Sequence, residues 1–385
     1  MNRRKIISIT GIRSDYDLMS SVFREINKRE EFDFKLIITG THLSPSYGMS
    51  INEIKKDGFI VADVIESLID SDSLSSRAKG MSIQMQCIIQ TLVREKPDLL
   101  LVLGDREEAI TTAVLGTYMN IPIAHVSGGD KSGTVDDPIR HSVTKLSHLH
   151  FATNDESLKR IIKLGEESWR VFNVGNPGLD RFIEVPDISS QILFQELKLP
   201  ITHDEKIVLV IQHPVSSEIN ESYEQMKITL EAVNELNLKT IIIHPNSDAG
   251  SFETIKAINK FNKLNNFFSL QNLPREQFIN IFRRISCLVG NSSAGILEAS
   301  FLKKPVINIG SRQKGRLSTE NIQHVDYSKE EILNALKKSI FDKEYINFVD
   351  KSKCPYGEGD SSKKIVEILL KFIDDKRLLN KKITY

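Results

Sequence analysis

The residues best suited to chemistry cluster just after short apolar runs. Gly104-Asp-Arg-Glu107 follows the run Leu99–Leu103. At such a strand end Asp105 can serve as a general acid or base, hold a sugar or ribose hydroxyl, or join Glu107 in capping the next helix. Capping leaves the adjacent Arg106 unexplained. His125-Val-Ser-Gly-Gly-Asp130 and Asp136-Asp-Pro-Ile-Arg-His141 form the richest stretch. Gly128 and Gly129 permit close approach by a ligand. Asp130, Asp136 and Asp137 put three carboxylates into eight residues, on a loop expected near Asp105. Like charges sharing a site raise at least one carboxyl pKa toward neutrality, which proton transfer at carbon requires. Of nine histidines, His125, His141, His148 and His150 lie in this region. His148 and His150 read as structural. His141, beside Arg140 and Lys145, reads as a ligand contact or a loop anchor. Asp105, His125, Asp130, Asp136 and His141 can be drawn as a dinuclear metal site. Their spacing matches no standard zinc pattern, and Arg106 and Arg140 would stand among the ligands, so no metal is expected.

The remaining candidates suggest an anion. Thr10-Gly-Ile-Arg-Ser-Asp-Tyr16 turns from a strand into a helix, where backbone N–H groups can hold an anion and Arg13 can add a guanidinium. It lacks the GxGxxG pattern, so no nicotinamide cofactor is expected. In the second half, Gln212-His-Pro214 and His244-Pro-Asn246 each follow a strand. Gly290-Asn-Ser-Ser-Ala-Gly-Ile-Leu-Glu298 gathers hydroxyls and backbone donors at the start of an expected helix, 293–301. Ser292 and Ser293 fit an anion site or an N-cap, and Glu298 could take the two hydroxyls of a ribose. Gly310-Ser-Arg-Gln-Lys-Gly-Arg316 adds cations. One diphosphate with acids facing it describes a bound nucleotide-sugar.

Positioning these groups requires a particular scaffold. Short apolar strands alternate with amphipathic helices through the whole chain, which predicts βαβ units and parallel sheets. The alternation pauses at Gly175-Asn-Pro-Gly178 and restarts at Ile207–Ile211. The fold class expected is therefore α/β, with two Rossmann-like parallel-sheet domains facing a shared cleft. Their expected limits are 1–175 for the sugar and catalytic side and 176–365 for the nucleotide-diphosphate side. Residues 366–385 complete a closing helix and a basic tail read as surface, with the option of crossing back to the first domain. The 385 residues are 40% hydrophobic and 26% charged, enough for two cores. Lys+Arg 51 against Asp+Glu 51 gives no general case for nucleic acid. Three dispersed cysteines support no disulfide framework. No apolar run reaches the roughly 18 residues of a membrane span. The basic, briefly apolar N-terminus fits a first strand better than a signal peptide, which suggests a cytoplasmic protein.

These motifs together resemble the hydrolysing UDP-N-acetylglucosamine 2-epimerase family of sialic-acid and legionaminic-acid biosynthesis. The resemblance rests on the segments above and on Thr39-Gly-Thr-His-Leu43, Tyr47-Gly48, Arg140-His-Ser-Val-Thr-Lys145, His150-Phe151, Asn308-Ile-Gly310, Arg312-Gln313 and Pro355-Tyr-Gly-Glu-Gly359. It implies the GT-B architecture, no cofactor, and a homodimer or homotetramer. The implied reaction removes the C2 proton, expels the nucleoside diphosphate from C1 to leave a glycal, and adds water with inversion at C2. The product from UDP-N-acetylglucosamine is N-acetylmannosamine. Matching motifs imply Asp105 and Asp136 or Asp137 as acid and base, and His213 near the diphosphate. They imply His42 near the sugar, and Arg13, Arg106, Ser292, Ser293 and Arg312 on phosphate. Asn246 is implied on the nucleotide and Glu298 on the ribose. Many relatives carry Glu or His where this chain has Ser127. Either Asp130 covers the lost role, or the substrate is a UDP- or GDP-linked 2,4-diacetamido-2,4,6-trideoxyglucose. A GT-B glycosyltransferase is the reading from a different class.

Overall fold

The computed structural model describes residues 3–71, 74–131, 136–245, 250–271, 273–313 and 315–385. The chain divides into two compact units, Met1–Arg181 with Pro355–Tyr385, and Phe182–Cys354.

The first unit is built on seven strands: β1 (Arg4–Thr10), β2 (Phe32–Thr39), β3 (Val61–Ile65), β4 (Leu99–Leu103), β5 (Ile123–Val126), β6 (Leu149–Ala152) and β7 (Val171–Asn173). They pair in the order β3-β2-β1-β4-β5-β6-β7, every pair parallel. Helices cover both faces, so the central strands carry apolar residues in unbroken runs. Leu99, Leu100, Leu101 and Val102 are each at most 1% exposed. Each such side chain contributes roughly 1.5–3 kcal/mol by leaving water. One face packs on the helix Arg13–Asn27, which buries Tyr16, Met19, Val22, Phe23 and Ile26 at helical spacing. Ile365, Val366, Leu369 and Phe372 of the helix Ser361–Phe372 belong to the same core.

The second unit has six strands: β8 (Ile207–Ile211), β9 (Lys239–Ile243), β10 (Phe267–Leu270), β11 (Cys287–Gly290), β12 (Val306–Ile309) and β13 (Ile322–Val325). Their order is β10-β9-β8-β11-β12-β13, again all parallel. Each sheet therefore reverses its strand order once, between β1 and β4 in the first and between β8 and β11 in the second. In open α/β sheets ligands bind beyond the strand C-termini at that reversal.

Several boundaries differ from those read in the sequence. Residues 176–181 and 355–365 lie in the first unit. Asn176 donates its backbone N–H to the Tyr356 carbonyl at 2.7 Å. The Asp180 carboxylate accepts the backbone N–H groups of Ser361 (3.1 Å) and Ser362 (2.6 Å), capping the last helix from across the chain. The tail is docked: Leu378 is 1% exposed and Arg170, fully buried, donates to tail carbonyls. The single helix expected over 293–301 is a 3₁₀ turn, Ser293–Gly295, followed by one α-turn, Glu298–Phe301. Among the described residues no helix is long and apolar enough to cross a membrane.

Candidate active site

In the first unit the strand-order reversal brings together the loops after β1 and β4. Asp105 follows β4 and forms an ion pair with Arg140. Arg140 projects from the helix Asp136–Leu146, whose first turn contains Asp136 and Asp137. The helix is tied to the sheet through Thr144. Its hydroxyl donates to the Arg140 carbonyl at 3.0 Å and lies 3.3 Å from His125 Nδ1. His125 Nε2 is 2.8 Å from the carbonyl oxygen of Gly104, the residue before Asp105. Burial drives His125 down to about 3, against the pull of the Gly104 carbonyl, so at neutral pH its ring is uncharged and structural.

Arg106 lies among carboxylates. Its guanidinium is 3.4 Å from Glu107, 3.6 Å from Glu108 and 3.9 Å from Asp15. One arginine cannot neutralise three acids in a poorly hydrated site. Burial raises Glu108 to about 7, Glu107 adding to the rise, and burial raises Asp15 to about 6 against the pull of Arg106. Burial also opposes the charge on Glu107, but Arg77 and Arg106 outweigh it and hold this carboxyl low. Burial thus leaves Asp15 and Glu108 able to hold a proton near neutrality. Sequence reasoning missed both as titrating groups. The available signal was glycine: Gly11 and Gly40 clear the space beside the Glu108 carboxylate.

Other expected contacts lie elsewhere. His42 is fully buried, with Nε2 2.9 Å from the Thr10 hydroxyl and Nδ1 2.7 Å from that of Ser50. Both ring nitrogens have partners inside the unit, where the ring orders the loop after β2, and burial drives it to about 4. Asp130 accepts hydroxyl hydrogens from Thr153 and Ser157, both at 2.6 Å through Oδ1, which anchors the loop after β5. Ser127 stands at the end of β5 with φ +61°, donating its N–H to the Phe151 carbonyl at 2.9 Å. Arg13 is exposed and pairs with Glu53 at 3.3 Å. His141 is half-buried, its Nδ1 without a hydrogen-bond partner. Among the described residues no three His, Cys, Asp or Glu side chains could hold a metal ion together.

The second unit's reversal is organised by Asn291. Its side chain accepts the His213 N–H at 2.7 Å and donates to the His213 carbonyl at 2.8 Å. Its own carbonyl accepts from Arg312 at 3.0 Å and Gln313 at 2.8 Å. Gly290, at φ +133°, is required just before it, since a Cβ there would overlap the Ile211 carbonyl. Side chain and backbone of one residue thus join the loops after β8, β11 and β12, which carry His213, Ser292 and Arg312. Ser292 Oγ accepts the Ala294 N–H at 3.3 Å and starts the 3₁₀ turn. Glu298 stands 3.6 Å from Arg275, and its Oε2 is buried without a hydrogen-bond partner. Arg275 rests over the rings of Phe182 (5.4 Å) and Phe278 (5.2 Å). Asn291, Gln313 and Arg275 were not singled out in the sequence. Asn246 lies outside the described residues.

Two doubly wound units, each carrying its polar residues at its strand-order reversal, define a Rossmann-like two-unit α/β protein. The family model described as UDP-N-acetylglucosamine 2-epimerase matches residues 24–370. The chain is 34% identical over 378 residues, 98% of both chains, to the UDP-N,N'-diacetylbacillosamine 2-epimerase (hydrolyzing) of Legionella pneumophila. It is 32% identical over 326 residues, 84% of both, to the GDP/UDP-N,N'-diacetylbacillosamine 2-epimerase (hydrolyzing) of Campylobacter jejuni. The fold is similar to that of a UDP-GlcNAc 2-epimerase from Neisseria meningitidis solved with UDP-GlcNAc. Its TM-score is 0.78 at 19% identity, covering 95% of this chain and 100% of that one. The chain belongs to the UDP-N-acetylglucosamine 2-epimerase family.

Proposed function

We propose that the protein is a hydrolysing nucleotide-sugar 2-epimerase, with the two units acting as a GT-B pair. The second unit holds the nucleoside diphosphate: Arg312, Ser292, Ser293 and His213 meet the phosphates, and Glu298 the ribose. The first unit handles protons at the sugar. Asp105 and one carboxylate of the Asp136–Asp137 pair act as base and acid. The C2–H bond breaks, its electron pair forms the C1–C2 double bond, and the C1–O bond breaks with its electrons leaving on the diphosphate. Water then adds across the glycal, its proton going to C2 on the opposite face and its hydroxyl to C1. The free manno-configured sugar and the nucleoside diphosphate result.

The observation that carries this reading is Asp105 at the first sheet's strand-order reversal, oriented by Arg140 of the helix that also bears Asp136 and Asp137. UDP-N-acetylglucosamine is the substrate suggested by the motifs. The two relatives above favour instead a nucleotide-linked 2,4-diacetamido-2,4,6-trideoxyglucose, the sugar named N,N'-diacetylbacillosamine. A proton NMR time course in D₂O decides, with UDP-GlcNAc and the UDP- and GDP-diacetamido sugars supplied in parallel. Release of a manno sugar deuterated at C2, without any acceptor, is expected, fastest from a diacetamido substrate. Intact nucleotide-sugar in all three tubes would sink the epimerase reading and favour an acceptor-dependent transferase.

A further inference from the structure

We propose that Lys381 is a positioning residue for this reaction: its ammonium group clamps the C-terminal end of the helix Asp136–Leu146 and so fixes where that helix holds Arg140 against Asp105. The inference rests on the function proposed above.

The clamp is direct. Lys381 Nζ donates to the carbonyls of Lys145 and Ser147, each at 2.6 Å. Carbonyls in and just after a helix's last turn lack partners within the helix, and a cation there is also favoured by the helix dipole. The same ammonium is 2.7 Å from Glu166 Oε2. Glu166, 1% exposed, also accepts from Lys145 Nζ at 2.7 Å and lies 3.1 Å from His150 Nε2. Tail, helix end and β6 therefore meet at one buried carboxylate.

The tail is held in turn from below. The Arg170 guanidinium, fully buried, donates to the carbonyls of Leu378 (3.0 Å) and Asn380 (3.1 Å). Leu378 is a core residue. Burying a guanidinium is costly unless its donors are used, so this arrangement fixes the backbone leading into Lys381.

Two routes run from the clamp to Asp105. Along the helix, Thr144 lies beside the clamped end and donates to the Arg140 carbonyl, and Arg140 holds Asp105. Through the sheet, the same Thr144 hydroxyl meets His125, which meets the Gly104 carbonyl. A released helix end would let both routes relax. Binding of the diphosphate, assigned to the other unit, should be spared.

The test compares Lys381→Met and Lys381→Arg with the wild type. Hydrogen exchange of amides 136–146 is measured without substrate, and kcat and KM with whichever nucleotide-sugar the wild type consumes. Lys381→Met should exchange faster over that helix and lose roughly 10–100-fold in kcat, the scale of a small misplacement of reacting groups, with KM within about twofold. Lys381→Arg, which keeps the charge and the donors, should recover most of both. Unchanged exchange would overturn the proposal. So would fast exchange with wild-type kcat, or a loss of kcat that arginine does not rescue. Should the methionine variant fail to fold, Lys381→Gln is read by the same criteria. Absence of wild-type turnover on every sugar would count against the proposed function, and the exchange data would still decide the clamp.

Discussion

Glu108 occupies the space that a side chain at Gly11 would need. A Cβ built on Gly11 would overlap the Glu108 carboxyl group, and one on Gly40 would come 3.3 Å from Oε1. Gly11, at the turn from β1 into the first helix, and Gly40 therefore make room for a buried acid.

That acid gives stability a signature in pH. The Glu108 carboxyl is raised from 4.5 to about 7, mainly by burial. Its folded form holds the proton more tightly than the unfolded chain, so its favourable contribution is fully present below pH 4.5 and is lost as pH rises through 7. Glu108→Gln should remove this loss. Melting curves from pH 4.5 to 8 should show the variant gaining on the wild type with rising pH. A constant offset would mean that Glu108 holds no such proton. Gly11→Ala, by contrast, should destabilise by about 1–3 kcal/mol through overpacking.

Asp105→Asn should leave the fold intact and lower kcat by roughly 10²–10⁴, the usual loss when a general acid or base is removed. Arg140 would then face a neutral amide. Single-turnover kinetics with matched circular dichroism spectra check both halves of this expectation. Near-normal turnover of a folded variant would exclude the role.

Four histidines set the acid limit. Burial lowers His42, His148 and His150 to about 4 and His125 to about 3, from 6.5. The unfolded chain binds these protons first. The associated stability is complete above pH 6.5 and drains away as pH falls toward 4. Glu108 and Asp15 work in the opposite direction over the same range, so ring-proton NMR is the check: histidine signals of the folded protein titrating at 6.5 would show that these rings are not held neutral.

Asn291→Ala should weaken binding of the nucleoside diphosphate by roughly tenfold or more. It strands the His213 N–H and carbonyl, each lost partner costing about 1–3 kcal/mol where buried, and so loosens the loop that carries His213. Titration calorimetry with UDP and GDP checks it, and wild-type affinity would refute the organising role.

Chelation should leave turnover unchanged. Arg312 and the hydroxyls of Ser292 and Ser293 are the groups proposed to meet the diphosphate charge. Full loss with EDTA, restored by a divalent cation, would overturn that assignment.

The sequence disclosed what repeats along the chain and hid what depends on folding. The run Leu99–Leu103 announces a strand buried on both faces, and β4 has those limits. β3 and β13 went unseen because these edge strands lack an apolar run: Val61–Ile65 is mostly half-exposed, and Ile322–Val325 has Gln323 and His324 between its two apolar ends. Asp105 and Arg140 were legible as candidates, since their types and positions after strands suggested chemistry. Their pairing was not, because it joins residues 35 positions apart. The burial of His42 was not legible, as a ring with polar neighbours looks the same in a string whether it is exposed or enclosed. Lys381 read as a surface cation because a tail rich in Lys and Arg is usually solvated, and only the buried Glu166 changes that.

The interleaved division of the chain has a consequence for its birth. The second unit, Phe182–Cys354, is continuous, and the first is closed by Pro355–Tyr385. As the polypeptide leaves the ribosome, the later-made unit can complete its core while the earlier-made one still waits for Ile365, Val366, Leu369 and Phe372. Nascent chains arrested after residue 354, with the second unit clear of the exit tunnel, should therefore resist protease in that unit and remain cleavable within residues 1–181. The opposite pattern would mean that the first sheet matures without its final helix.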